Sequence, residues 1–268
     1  MPTTKKLIFR TLKLLFIVYL LICTALYFFQ EKLLFFPDKL DKNHVFSFNQ
    51  TFEELNIKIK EGKLINGLLF KADSAKGLVF YLHGNAGSLE KWGRVATRYT
   101  DLHYNLFILD YPGYGKSDGG IYSKTQLFDA IQTAYDDMKE RFHEDSIIVL
   151  GYSIGTGLAA HLAARNHPKL LILQAPYYSL ADMMRHTYPI IPTFLLKYKL
   201  QTNEYLKDCK MPVVIFHGDR DEVIYYGSSL KLNEEMKRGD TLITLHGQGH
   251  NGMTDNSDYA AAIKTILE

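Results

Sequence analysis

The residue with the clearest chemical potential is Ser153, the centre of a Gly-Tyr-Ser-Ile-Gly pentapeptide at 151–155. This G-x-S-x-G pattern follows an apolar run at 147–150 and opens an alanine-containing stretch of helical composition. A strand-to-helix bend of this kind is so tight that side chains two positions before and after the serine would collide with backbone, and glycine removes those clashes. We therefore predict that Ser153 is a nucleophile; the alternative is an inert serine that caps a helix.

A serine hydroxyl is a poor nucleophile near neutral pH and needs a neighbouring base. His250 stands in a Gly-Gln-Gly-His-Asn-Gly segment after the last predicted strand, where glycines on both sides let a loop carry the imidazole to the strand ends. His83 and His217 each end a predicted strand before a glycine and are expected to stabilise loops, whereas His161 and His167 lie on or near a helix. The sequence favours His250 as the base over a purely structural loop histidine.

The base in turn needs a carboxylate that orients its ring and stabilises the imidazolium. Three acids follow the predicted strand at 213–216, namely Asp219, Asp221 and Glu222. Asp221 lies far enough beyond the strand to curl back toward the histidine loop, while Asp219 is expected to cap the turn, paired with Arg220. The prediction is Asp221, with Asp219 and then Glu222 as alternatives, and the resulting chain order is Ser, Asp, His.

Acyl-transfer chemistry also needs donors for a developing oxyanion. One is the backbone N–H of Ile154, directly after the serine. The second is expected from the loop at 83–88, which reads His-Gly-Asn-Ala-Gly-Ser. We favour the Asn85 N–H, with that of Ala86 as the alternative, and a plain glycine-containing turn is the competing interpretation.

The surrounding pattern predicts the elements that position these groups. Two alternating runs at 55–60 and 64–70 indicate an antiparallel hairpin. Later apolar runs, rich in β-branched and aromatic residues, indicate buried strands at 78–82, 106–109, 147–150, 170–173, 213–216 and 242–245. Helical stretches such as 123–141 and 154–165 separate most of them. This alternation predicts an α/β fold with a mostly parallel sheet covered by helices on both faces.

Two intervals depart from that rhythm. Residues 37–52 are mixed in character and are predicted to be a linker onto a domain at 53–268. Residues 176–211 contain methionines and aromatics but no good strand candidate, and they are too long for an ordinary connection. They predict a small helical lid, whose apolar side chains either form an acyl pocket or merely pack on the domain.

The N-terminal segment predicts membrane attachment. Residues 14–29 carry no charge and would span about 24 Å as a helix, against a hydrocarbon core of roughly 30 Å. Lysines at both ends can snorkel, the helix could continue through residues 33–36, and Pro37 offers a stop. We predict an anchor at 1–36 that contacts the membrane through residues 14–36; a cleaved signal peptide and a buried helix are the alternatives.

The charge distribution predicts the orientation of that anchor and argues against nucleic acid as a partner. The net charge is +2, but four positive charges and no acid lie in the first thirty residues, so the rest carries −2. This predicts a cytoplasmic N-terminus with the catalytic domain on the non-cytoplasmic side, and no basic patch suited to nucleic acid. Cys23 and Cys209 are isolated and indicate neither a disulfide framework nor metal spacing.

Five segments in order carry a family resemblance: HGNAG at 83–87, DYPGYGKSDG at 110–119, GYSIG at 151–155, HGDRDEVI at 217–224 and GQGHN at 247–251. Together they resemble the α/β-hydrolase superfamily, and their spacing is similar to its short-lid branch, which includes serine aminopeptidase-like hydrolases, bud-emergence-protein homologues and protein depalmitoylases. FQEKLLFFP at 29–37 is similar to the membrane-proximal stretch of that branch. The lid matches no substrate-specific pattern.

Position by position, the resemblance implies roles for five residues: Ser153 as nucleophile, Asp221 as acid, His250 as base, and Asn85 and Ile154 as oxyanion donors. It implies no metal and no organic cofactor, and it assigns the Asp-Tyr pair at 110–111 to a structural turn.

The leading functional expectation is a serine hydrolase that cleaves carboxylic esters or thioesters, acylated or lipid-like, through an acyl-enzyme. A serine aminopeptidase-like peptidase is an alternative and would need acidic groups near the lid, for which Glu204 and Asp208 are available. A non-catalytic, membrane-anchored binding protein on the same fold is the third possibility.

Overall fold

The computed structural model describes residues 2–268; Met1, the first residue of the predicted anchor, lies outside the described residues. The strands are β1 (Phe36–Pro37), β2 (Phe52–Lys58), β3 (Leu64–Phe70), β4 (Gly77–Leu82), β5 (Ala86–Gly87), β6 (Tyr104–Leu109), β7 (Ile147–Tyr152), β8 (Leu170–Gln174), β9 (Val213–Gly218) and β10 (Thr241–Leu245). The α-helices are α1 (Pro2–Phe28), α2 (Gln30–Leu34), α3 (Leu89–Trp92), α4 (Ala96–Thr100), α5 (Lys124–Arg141), α6 (Gly155–Ala163), α7 (Leu180–Thr187), α8 (Thr202–Asp208), α9 (Gly227–Glu234) and α10 (Ser257–Leu267).

Eight strands form the central sheet in the order β10-β9-β8-β7-β4-β6-β3-β2. The β2–β3 and β3–β6 pairs are antiparallel, and the remaining pairs are parallel. The predicted hairpin and the predicted mostly parallel sheet are therefore confirmed. Parallel pairing brings the carboxyl ends of β4, β7, β8, β9 and β10 to one edge, where loops can combine residues that are distant in sequence.

Helices cover both faces of this sheet and create two apolar cores. Along β4, Phe80 and Leu82 point into one core, whereas Val79 and Tyr81 point into the other, as the two-residue period of a strand requires. The first core contains the apolar faces of α5 and α6, and the second contains those of α4 and α10. Burial on both faces explains why the strands read as continuous apolar runs.

Several strands are longer than the apolar runs that predicted them. β6 begins at Tyr104 and includes Asn105, whose buried side chain accepts a hydrogen bond from the N–H of Ala72 at 2.8 Å. Pairing of that polar group explains why the strand extends beyond its purely apolar part. β7 and β9 reach Tyr152 and Gly218, so that the chemistry-bearing loops start directly at the sheet edge.

The predicted linker at 37–52 lies along the domain. Phe36 and Pro37 pair in parallel with Ala86 and Gly87 in a separate two-stranded sheet. Further on, Phe46 is buried in the second apolar core. Residues 176–211, predicted as the lid, contain α7, a 3₁₀ turn at Thr193–Leu195 and α8, and they form no strand.

The N-terminal helix is long and apolar. Residues Thr4–Phe28 could cross a membrane by length and composition, a test that a signal sequence near an N-terminus also passes. α1 begins well before the apolar run at 14–29, and after a break at Phe29 the short helix α2 continues to Leu34. The extension that the sequence predicted through residues 33–36 is thus a separate helix followed by β1.

Candidate active site

Ser153 lies on the sharp bend between β7 and α6. Its φ of 54° is in the left-handed region, which is strained for a residue with a side chain and recurs at functional sites. A Cβ at Gly151 would overlap the carbonyl oxygen of Gly155, and one at Gly155 would overlap that of Leu82. The two glycines are therefore needed for this bend, and the Ser153 N–H is fixed by donation to the Gln174 carbonyl at 2.9 Å.

The structure brings Ser153, His250 and Asp221 together. The Ser153 hydroxyl lies 3.0 Å from His250 Nε2, and His250 Nδ1 donates to Asp221 Oδ2 at 2.7 Å. Less than a tenth of the surface of Ser153 and of His250 is exposed. This low exposure shields both hydrogen bonds from competing water.

The loop that carries His250 is held from three sides. The Tyr152 hydroxyl donates to the His250 carbonyl oxygen, and the His250 N–H donates to Glu222 Oε2 at 3.3 Å. The Gln248 amide donates to the carbonyl oxygen of Asn251 at 2.7 Å. Glu222, one of the alternatives for the acid, therefore supports the histidine backbone instead of contacting its ring.

Asp221 accepts three direct hydrogen bonds and part of a fourth. Its Oδ1 receives the N–H groups of Val223 and Ile224, both at 2.8 Å, and its Oδ2 receives His250 at 2.7 Å. His217 Nε2 lies 3.2 Å from the same Oδ2, and its single N–H is shared with the Ile224 carbonyl oxygen. Burial disfavours the charged carboxylate, but the hydrogen bonds from the two histidines outweigh it and hold the pKa of Asp221 well below its usual value. The carboxylate is thus ionised at physiological pH.

Sequence reasoning missed the contact between His217 and Asp221. His217 is fully buried, and its Nδ1 lies 2.6 Å from the Ser229 hydroxyl. Its Nε2 also lies 2.9 Å from the Ile224 carbonyl oxygen, so the proton resides on Nε2 and the Ser229 hydroxyl donates to Nδ1. The four-residue spacing from His217 to Asp221 was visible in the sequence, but the direction of the ring depends on packing against α9.

Asp219, the other alternative for the acid, turns away from His250. Its Oδ1 accepts the N–H of Gly247 at 2.7 Å, and its Oδ2 lies 2.9 Å from His246 Nδ1. These hydrogen bonds lower the pKa of Asp219. Asp219 therefore stabilises the start of the histidine loop. Its side-chain partner is His246, whereas the sequence predicted Arg220.

The remaining candidate histidines have structural surroundings. His83 is completely buried, and burial lowers its pKa to about 4, so its ring is neutral. Burial likewise raises the pKa of the neighbouring Asp110 to about 8. His161 stacks on Phe128 with ring centroids 3.6 Å apart, and His167 is exposed.

The predicted oxyanion donors lie on the two loops that flank Ser153. The Asn85 carbonyl oxygen accepts the Phe36 N–H at 2.8 Å and the Tyr114 hydroxyl at 2.7 Å, which fixes the loop after β4. Within the described part of the chain, the N–H of Ile154 has no backbone acceptor and starts the first turn of α6. An N–H at a helix start is well suited to stabilise negative charge.

A cleft of about 620 Å³ adjoins the site behind Tyr152. Its walls include Trp92 and Met253 together with the cations Lys91 and Arg98. No group of three His, Cys, Asp or Glu side chains that could hold a metal ion occurs among residues 2–268.

Comparisons with known proteins place this arrangement in a family. A family model described as "Serine aminopeptidase, S33" matches residues 73–205. The chain is 31% identical over 200 residues to "Alpha/beta hydrolase domain-containing protein 17B" of Xenopus laevis, covering 72% of this chain and 67% of that protein. It is 29% identical over 189 residues to "Protein bem46" of Schizosaccharomyces pombe, covering 66% of this chain and 63% of that protein.

A solved structure shows the same fold at greater sequence distance. An esterase of Pyrococcus furiosus superposes with a TM-score of 0.70 at 15% identity, over 87% of this chain and 96% of that one. The two curated relatives are matched over about two thirds of their length. The chain belongs to the α/β-hydrolase superfamily, in the branch of hydrolases that contains alpha/beta hydrolase domain-containing protein 17B and bem46.

Proposed function

We propose that the protein is a serine hydrolase that cleaves carboxylic esters or thioesters through an acyl-enzyme on Ser153. One observation carries the proposal: two consecutive hydrogen bonds, of 3.0 and 2.7 Å, connect the Ser153 hydroxyl through His250 to Asp221. A hydroxyl, an imidazole and a buried carboxylate in this order are the parts that nucleophilic acyl transfer requires.

The reaction follows from the roles of these atoms. His250 Nε2 takes the proton of Ser153 as the oxygen attacks the carbonyl carbon, and it returns that proton to the leaving alkoxide or thiolate. Water activated by the same nitrogen then hydrolyses the acyl-serine and restores the hydroxyl. Asp221 stays ionised and stabilises the imidazolium, consistent with its lowered pKa.

The N–H groups of Ile154 and Asn85 serve as the oxyanion donors in this proposal. Ile154 is the N-cap residue of α6, where the helix dipole favours negative charge. The loop with Asn85 is held by β1 and by Tyr114, so its backbone does not need to reorganise when charge develops.

We further propose that the substrate is acylated or lipid-like and that residues 1–36 anchor the enzyme in a membrane. The exposed apolar helix α1 and the apolar side chains of the segment at 176–211 support this assignment. The basic residues before the apolar run favour a cytoplasmic N-terminus, with the hydrolase domain on the other side. A reporter fused to the C-terminus should accordingly read as non-cytoplasmic, and a cytoplasmic reading would reverse the orientation.

The nucleophile is tested with a fluorophosphonate probe. The wild-type protein should be labelled, and Ser153→Ala should abolish labelling because the probe reacts only with an activated hydroxyl. Ser123→Ala is the matched control, since Ser123 is an exposed helix cap at the start of α5. Labelling that persists in Ser153→Ala refutes the assignment, and absent labelling together with no turnover on an ester panel favours a binding protein.

An aminopeptidase-like activity is the second candidate, because the matching family model carries that description. Of the two acids available to it, Glu204 and Asp208, Glu204 lies 3.4 Å from Lys207 and also accepts a hydrogen bond from Asn203, so it is partly neutralised. Turnover of aminoacyl anilides in preference to p-nitrophenyl esters would favour the peptidase over the esterase.

A further inference from the structure

The helix α1 is attached to the end of α7 and the chain that follows it, a segment that we call the lid tip and define as residues 187–196. The Tyr19 hydroxyl donates to the carbonyl oxygen of Ile190 at 2.8 Å. At the other end, the buried Gln30 side chain donates to the Leu195 carbonyl at 3.1 Å and accepts the Lys197 N–H at 2.9 Å. The lid tip therefore runs beside α1 from Tyr19 to its carboxyl end, a distance of about 14 Å at 1.5 Å per residue.

This attachment restricts how α1 can sit in a bilayer. If the lid tip stayed in water, only residues 14–18 of the uncharged run would remain for the membrane, about 8 Å of helix. A hydrocarbon core is roughly 30 Å thick, and Lys13 and Arg10 precede that short stretch. An α1 that crosses the membrane must therefore take the lid tip into the bilayer with it.

The surface of the lid tip suits that environment. It has no charged residue, and three of its large apolar side chains are exposed: Tyr188 is 62%, Ile190 75% and Phe194 77% exposed. Arg185 stands before it, where its side chain can reach phosphate head groups, and Lys197, which pairs with Glu31 at 2.8 Å, follows it. Exposed aromatics near the end of α1 extend the same apolar surface.

The backbone of the lid tip is also prepared for lipid, in which an unpaired polar group is costly. Pro189 and Pro192 have no N–H to satisfy. The Ile191 N–H donates to the Tyr188 carbonyl at 2.9 Å, and the N–H groups at 195 and 196 donate within the 3₁₀ turn. Tyr19 and Gln30 satisfy two of its carbonyl groups from outside.

We propose that the lid tip is inserted into the bilayer leaflet next to the hydrolase domain and forms, with α1, one membrane-embedded surface. The partner is a lipid bilayer, and the inference rests on the membrane anchoring put forward under the proposed function. The depth is defined: position 190, beside Tyr19, lies deep among the acyl chains, and position 194, near Gln30, lies closer to the head groups.

Side-chain contacts connect the proposed membrane-inserted surface to the candidate active site. α7, which precedes the lid tip, contains Asp182, and this carboxylate binds Lys231 at 2.8 Å and the Tyr225 hydroxyl. Tyr225 directly follows Ile224, whose N–H holds Asp221. Contacts through Asp182, Tyr225 and Ile224 therefore connect the lid tip to the loop that holds Asp221.

Tryptophan quenching by brominated lipids measures the depth in the full-length, reconstituted protein. The substitutions are Ile190→Trp and Phe194→Trp; Leu21→Trp on α1 is the positive control, and His143→Trp, before β7 at the edge opposite Ser153, is the negative control. The chain's one native tryptophan stays in every variant, and its quenching is subtracted using the parent protein.

The expected result is quenching at 190 and 194 several-fold above that at 143. Bromines deep in the chain should act more strongly at 190, and shallow ones at 194. Quenching at 21 without quenching at 190 and 194 overturns the inference, as does quenching at none of the three. Fluorophosphonate labelling of the same samples reports on Ser153 separately, so membrane contact and hydrolase activity can fail independently.

Discussion

At the scale of single residues, the most informative group is Asp221, because two histidines share one of its oxygens. His250 connects it to Ser153, while His217 connects it to Ser229 on α9. A buried carboxylate with this many donors is held in one orientation. The position of His250 therefore depends on contacts that reach beyond the three proposed catalytic residues.

Substitution at the two neighbouring aspartates separates their roles. Asp221→Asn should lower kcat for a p-nitrophenyl ester by about 10³- to 10⁴-fold, because the amide favours the wrong histidine tautomer. Asp219→Asn is the matched control, since Asp219 contacts only the start of the histidine loop, and its effect should stay below about tenfold. Equal losses in the two variants would contradict the assignment of Asp221.

His217 is expected to act as a positioning residue. Removing its donation to Asp221 in His217→Asn should reduce kcat about tenfold, equivalent to about 1.4 kcal/mol, and leave KM nearly unchanged. Ser229→Ala should show a smaller loss in the same direction, because it removes only the partner of the far nitrogen. A loss confined to KM would assign His217 to substrate binding instead.

A pH effect on stability is expected from His161. Burial, followed by the charges of Arg165 and Lys124, lowers its pKa to about 4. The unfolded chain binds its proton near pH 6.5, so the protein should lose stability as pH falls from 6.5 toward 4. His161→Phe, which can keep the stacking on Phe128, should reduce the loss between pH 6.5 and 5 by about 1 kcal/mol, less than the full pKa shift would give because the ring is partly exposed to solvent.

That difference is measured by thermal or urea unfolding of the detergent-solubilised protein at both pH values. His167→Gln is the control, because His167 is exposed. An unchanged pH dependence in His161→Phe would show that this ring takes up its proton as readily in the folded protein as in the unfolded chain.

At the scale of elements, the features that depend on residues close together in the sequence, such as bends and strands, were predicted correctly. The glycines at 151 and 155 predicted the bend, because a side chain at either position would collide with nearby backbone. The apolar runs predicted six strands of the central sheet in order. The ends of the strands were harder to predict from the sequence. In β6, the polar Asn105 did not look like a strand residue, because its buried hydrogen bond with Ala72 is visible only in the structure. The contact between Gln30 and the lid tip joins positions more than 160 residues apart, and no periodicity encodes it.

The bend itself can be tested at this scale. Gly155→Ala should abolish probe labelling and destabilise the protein by about 2 kcal/mol or more, since the added carbon would overlap the backbone of Leu82. Gly239→Ala is a useful contrast: its φ of 99° is unfavourable for alanine, but no atom lies within 4 Å of the new carbon. It should cost about 1 kcal/mol and leave labelling intact.

At the scale of the whole molecule, the proposed catalytic groups, the lid and the N-terminal helix form one connected body. α1 holds the lid tip through Tyr19 and Gln30, and α7 connects the lid to the loop after Asp221. The resemblance to the superfamily predicts the fold of the hydrolase domain. The connections from α1 to the lid tip and from α7 to the loop after Asp221 are polar contacts that are visible only in the structure. If residues 1–36 are an anchor, as proposed, these contacts would orient the hydrolase domain as well as retain it.

The pairing of Phe36 and Pro37 with Ala86 and Gly87 extends this idea. The first strand after α1 and α2 pairs with the loop that is proposed to receive the oxyanion. If residues 1–36 are an anchor, as proposed, this pairing would hold the hydrolase domain close to the membrane surface. With that anchor, the proposed catalytic site would act on molecules at one defined distance from the lipid. Removing residues 1–37 to obtain a soluble fragment would therefore also remove the strand partner of Ala86 and Gly87 and loosen the loop proposed to stabilise the oxyanion.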